Sequence, residues 1–164
     1  MKITIAIFCC LLAGTALSQS NNAQNKKTLD SLDKIVIAEI ITPAEAAAKD
    51  NGQDPNWADL TKKITDKYSA VQADRVVTKA QIYLYYGRNW PLFSTAIVHY
   101  TEKFEDKDDL KLMNTNAKFI LQRSNSAEEL RIASGWIKHA VDKEPANTAY
   151  QETYNAIQEK LKTL

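Results

Sequence analysis

Thiols, glycines and any surplus of one charge are what this chain has least of. Its two cysteines, Cys9 and Cys10, both fall inside ITIAIFCCLLAG, an apolar run preceded by Lys2 and followed by the small residues ALS. A short apolar core behind a single positive charge, with small residues at its end, is the pattern of an export signal, and the run is too short to cross a bilayer comfortably. Cleavage is expected after Ser18, giving a signal over 1–18. An uncleaved anchor would want a basic cluster after the run, and a lipid-carrying cysteine would want a small residue where Phe8 stands. The exported, periplasmic or secreted chain is then free of thiols. That excludes a disulfide framework, a cysteine nucleophile, a redox CxxC pair and a cysteine-ligated zinc. Roughly 146 residues remain, enough for one domain to bury a core without staples.

Charge is as even as it can be. With Lys2 set aside, the basic residues equal the 20 acidic ones in number, and the two signs are interspersed, as in EDKDDLK. A phosphate backbone or an anionic bilayer is recognised through a basic stripe, so nucleic acid and membrane surfaces are excluded as expected partners, and no membrane span is expected once the signal is removed. Only Gly52, Gly87 and Gly135 follow the signal; strand-rich chains of this length need more turn glycines.

What is present is helical pattern. Residues 19–27, QSNNAQNKK, offer little to bury and read as a flexible leader. After it, capping chemistry marks starts at TPAE (Thr42–Glu45) and SAEE (Ser126–Glu129), and prolines that fit a first turn mark starts near Pro55 and Pro91. Gly52 and Gly87 sit where helices should stop. The reading is all-α, with eight helices at 28–41, 43–50, 55–68, 73–86, 90–104, 108–123, 127–142 and 147–162, joined by loops short enough to make neighbours antiparallel. Asp108 is the expected N-cap of the sixth.

One pattern recurs. NWADLTKKI (Asn56–Ile64) superposes on NWPLFSTAI (Asn89–Ile97), and a further displacement places Trp90, Phe93, Ile97 and Tyr100 on Leu130, Ala133, Ile137 and Ala140. Residues three, four and three apart form one stripe of a helix, so Trp57, Leu60 and Ile64 in the first copy and their counterparts in the others are the expected repeat core. Each copy reads as the second helix of a hairpin. A single hairpin cannot hide both its apolar faces, and stacked hairpins can, which predicts about three stacked hairpins over 28–164 closed by a capping helix.

These residues resemble tetratricopeptide repeats. ASGWIKHAVDKEPANTAYQETYNAI (Ala133–Ile157), with Trp136, Ala140, Pro145, Tyr150 and Tyr154, is similar to the repeat region that follows the thioredoxin domain in certain exported bacterial proteins, and NWPLFSTAIVHYTEKF is similar to the hairpin upstream of it. The resemblance runs from Asn56 to the end and implies a TPR-like α-solenoid with a capacity for protein contact. It departs from the pattern where Gln72 and Glu105 replace the proline seen at Pro145, and where the second interval is longer. No Trp-Cys-x-x-Cys occurs, so the redox activity of those relatives is not implied.

Chemistry leaves little trace. His99 and His139 share a column of successive copies, but one ion cannot bridge equivalent positions of stacked hairpins, and no further ligand completes a zinc site, so no metal and no cofactor are expected. DKDDLKLMNTNA (Asp106–Ala117) lacks the glycine and the closing glutamate of a calcium loop. Neither a nucleophile elbow nor a phosphate-cradling glycine loop occurs, and the carboxylates are spread over helical surfaces. The expected function is non-catalytic: binding of a protein or peptide through first-helix residues Tyr83, Tyr85 and Tyr86, extended by Asn114, Asn116 and Lys118. An envelope enzyme or small-ligand carrier with a pocket in the bundle, and a self-associating structural module, are the alternatives.

Overall fold

The computed structural model describes residues 28–164, in which helices are joined by turns and no residue is in a strand. The expected signal and leader lie outside the described residues. The chain divides into two compact units, with the boundary between Asn56 and Trp57, inside the span expected to form one repeat domain.

In the first unit a single helix, α1, runs over 28–50. It replaces the two helices expected over 28–41 and 43–50, and Thr42 is not an N-cap: it is helical, and its N–H donates to the Ile37 carbonyl five residues back. That bond belongs to a π turn at Ile37–Ile41, continued by the α-helical Thr42–Asp50. Pro43 is the cause. A regular ladder would lose its amide bond and meet its ring, whereas a widened turn just before it absorbs both. The same turn stacks residues five apart, and Val36 and Ile41 are both buried. The helix ends as expected at Gly52, whose φ is 65°. Gly52 N–H bonds Lys49 O at 3.0 Å and Gln53 N–H bonds Ala48 O at 2.9 Å, the paired closure that requires a left-handed residue.

The second unit holds six helices: α2 (Trp57–Lys67), α3 (Ala70–Tyr85), α4 (Trp90–Phe104), α5 (Leu110–Arg123), α6 (Ala127–Lys143) and α7 (Thr148–Leu161). Side-chain caps set four of the starts. Ser69, Asn89, Asp109 and Ser126 accept bonds from the amides of Gln72, Leu92, Leu112 and Glu129. Two of these correct the sequence reading. α3 starts at Ala70 rather than 73, because Ser69-Ala-Val-Gln72 is itself a Ser-x-x-Gln start. Asp109, not Asp108, caps α5: the Asp106 carboxylate holds the Asp108 amide at 2.9 Å in a local turn, which moves the first helical position on by one.

Each helix packs on its chain neighbours, and α5 also meets α7 while α4 meets α6. The expected stripes are what they bury. Leu60, Ile64, Phe93, Ile97, Tyr100, Leu130, Ala133, Ile137 and Ala140 are buried, facing α3, α5 and α7 residues such as Val76, Met113, Ile120 and Ile157. Each large aliphatic or aromatic side chain so hidden is worth about 1.5–3 kcal/mol. Trp57 and Trp90 are only half-buried. Both stand first in their helices and reach the C-terminal end of the next one: the Trp57 indole donates to Tyr85 Oη at 2.9 Å, and the Arg123 guanidinium lies 4.1 Å from the Trp90 ring centre.

The α3–α4 connection turns on Gly87. Tyr86 at φ −56°, ψ 119°, Gly87 at φ 75° and a 3.0 Å bond from Arg88 N–H to Tyr85 O make a type II turn. Gly87→Ala is therefore expected to destabilise the fold by about 1–2 kcal/mol through left-handed strain. Gly135, in mid-α6 with open space where a Cβ would stand, should respond oppositely, with Gly135→Ala stabilising by about 0.5–1 kcal/mol. Urea denaturation of the two variants checks the opposite signs.

Candidate binding surfaces on α3

A helix turns about 100° per residue, so neighbours in YLYY must face different ways. Tyr83 and Tyr86 are exposed (71% and 57%), while Tyr85 is 7% exposed and fastened to Trp57. Tyr86 rests edge-on in a nest of rings, its centroid 5.6 Å from Trp90, 5.5 Å from Phe93 and 6.3 Å from Phe119. Phe93, buried, supports both Trp90 and Phe119 from beneath. Edge-to-face contacts of this kind hold a partly exposed ring in one orientation.

The other candidates from the sequence separate. Asn116 is buried between α4 and α5 and donates to Thr101 Oγ1 at 2.9 Å. Asn114 is half-buried, and its Oδ1 is inaccessible and without a partner. Lys118 is exposed, next to Phe119 of the ring nest.

The opposite face of α3 carries a feature the sequence reading missed. Asp74, Val77, Thr78, Gln81 and Tyr85 form the floor of an open cleft of about 700 Å³, walled by Trp57 and Thr61 of α2 and by Leu92, Thr95, Ala96, His99 and Lys103 of α4. α2 and α4 flank α3 without packing closely on each other, whereas α4 and α6 do touch across α5, where Thr95 donates to Glu129 and the Trp136 indole to Glu102. At one end of the cleft Asp74 is shared, with His99 Nε2 2.7 Å from Oδ1 and Lys103 Nζ 2.8 Å from Oδ2.

The histidines are thus held apart by separate carboxylates. His139 Nε2 lies 2.9 Å from Asp108 Oδ1, and Lys143 adds its charge to the same aspartate. His99-x-x-x-Lys103 and His139-x-x-x-Lys143 are the same motif in successive hairpins. The shared spacing was visible, but the aspartates come from elsewhere, Asp74 from α3 and Asp108 from the turn before α5, at unequal distances along the chain. Among the described residues no three His, Cys, Asp or Glu side chains gather as a metal site would require.

Comparison of the chain with protein-family models, with curated proteins and with solved structures found no match.

Burial pushes the Asp74 carboxyl up, but the hydrogen bonds from Lys103 and His99 outweigh it and hold it below the usual carboxylate range. Asp108 is lowered by His139 and then Lys143. A carboxylate lowered on folding stabilises the protein above its unfolded pKa, about 3.9, and the contribution disappears as pH falls through the folded value. Asp74→Asn should therefore be less stable than wild type at pH 7, by at most about 1 kcal/mol since Asp74 is partly solvated. The gap should narrow progressively below pH 4, which urea midpoints at stepped pH measure.

Proposed function

We propose that the chain is an exported, non-catalytic, tetratricopeptide-like module that binds a protein or peptide. The observation that carries this reading is the pair Tyr83 and Tyr86, exposed at one end of α3 and backed by rings that fix Tyr86 in place. Tyrosine offers apolar area and a hydroxyl while losing little rotamer freedom on binding, and a rigid backing lowers that loss further. Arg123 sits over the Trp90 ring and supplies donors at the margin of the nest. Helices that meet their chain neighbours and the next-but-one helix are also how stacked hairpins present extended surfaces.

Replacing Tyr83 and Tyr86 together by Ala is expected to abolish retention of envelope proteins on the immobilised chain, with the helical circular dichroism kept and the thermal midpoint lowered by several degrees through loss of the Tyr86 ring contacts. Identical sets of retained proteins for both forms would refute the reading. Tyr85→Ala serves as contrast: it strips the Trp57 indole of its acceptor and should lower stability by about 3 kcal/mol or more, as truncation of a buried aromatic does.

A further inference from the structure

The cleft on the other face of α3 has shape, charge and an unused hydrogen-bonding group, and none of these is needed for the tyrosine surface. Its apolar end is made of Trp57 and Leu92, the latter 44% exposed although fully aliphatic. Its polar end is Asp74 with His99 and Lys103. From Tyr85 to Asp74 the floor helix advances about 16 Å, the length of about five residues of extended chain.

Halfway along, Gln81 lines the cleft, and its side-chain amide makes no hydrogen bond to another described residue. A primary amide presents a donor and an acceptor side by side, the complement of one main-chain peptide unit. At the polar end, both Asp74 oxygens are already engaged, by His99 and Thr78 on one and Lys103 on the other. The ammonium of Lys103, with N–H donors to spare beyond its bond to Asp74, is what remains to be offered, so an arriving anion can be accepted here where a cation would meet like charge. Lys103 is 53% exposed and within reach of an incoming group.

We propose that this cleft holds an extended peptide segment, with an apolar side chain against Trp57 and Leu92 and an acidic side chain four or five residues away against Lys103. Gln81 pairs with the main chain between them. The apolar anchor supplies most of the contact area, and the acidic residue sets register and direction.

The test uses the whole exported chain and an array of acetylated, amidated peptides, so that no chain terminus supplies a charge. Each peptide carries Leu and, four or five places before or after it, either Glu or Lys, with Ala, Ser, Thr and Asn varied between. Wild type is expected to favour Glu over Lys peptides by about twofold to fivefold, as one added, partly exposed ion pair allows. Lys103→Glu should reverse that preference, and Gln81→Leu should weaken both classes equally. Tyr83→Ala/Tyr86→Ala should bind the array as wild type does, which separates this site from the tyrosine surface. Equal binding of Glu and Lys peptides, no binding above a Gly-Ser control, or an unchanged preference in folded Lys103→Glu would overturn the proposal.

Discussion

Covering both faces of a hairpin's second helix is the demand that organises the second unit. Phe93, Ile97, Leu130 and Ile137 lie on stripes that one antiparallel partner cannot hide, and no thiol lies beyond Cys10 to hold the helices together by other means. α4 is covered by α3 on one side and by α5 and α6 on the other, and α6 by α5 and α7. Where this mutual covering is complete, between α4 and α6, polar side chains close the seam: Thr95 on Glu129, and the Trp136 indole on Glu102, which also holds Lys107 at 3.0 Å. Where it is incomplete, between α2 and α4, the cleft remains. The cleft is thus a consequence of α2 and α4 packing less closely across α3 than α4 and α6 do across α5.

Helix ends are secured in a way that ties neighbours together. Lys107 donates to the Thr101 carbonyl near the end of α4. Lys160 of α7 donates to the Leu121 and Ser124 carbonyls at 2.8 and 2.7 Å, closing the end of α5. A lysine at a C-terminus satisfies carbonyls left without partners and opposes the negative end of the helix dipole. Because Lys160 comes from α7, α5 finishes in good geometry only when α7 is docked, and capping becomes part of tertiary cooperativity.

The His-x-x-x-Lys motifs show how a repeated pattern acquires different surroundings. Asp74–His99–Lys103 lies in the cleft and is partly shielded, and Asp108–His139–Lys143 lies on an open surface. The same residue types meet in both, but Lys103 bonds Asp74 directly while Lys143 acts on Asp108 through its charge. What differs is the setting: Asp74, His99 and Lys103 line the cleft beside α3, whereas Asp108 is largely exposed.

Periodicity and capping chemistry determined much by themselves: helices throughout, the buried stripe from Leu60 to Ala140, the stops at Gly52 and Gly87, and the starts near Pro91 and at Ser126. These are local, since a side chain three or four residues from the next shares its face whatever the rest of the chain does. The π turn before Pro43 was less legible, because a proline that fits a first turn is equally compatible with a widened turn inside a longer helix. Tertiary structure alone decided that Tyr85 turns inward to Trp57 while Tyr83 and Tyr86 face water, that Asn116 serves the α4–α5 interface, and that Asp74 meets His99. Each of those outcomes depends on the distance and rotation between two helices, which the sum of many packed side chains sets and no single stretch of sequence contains.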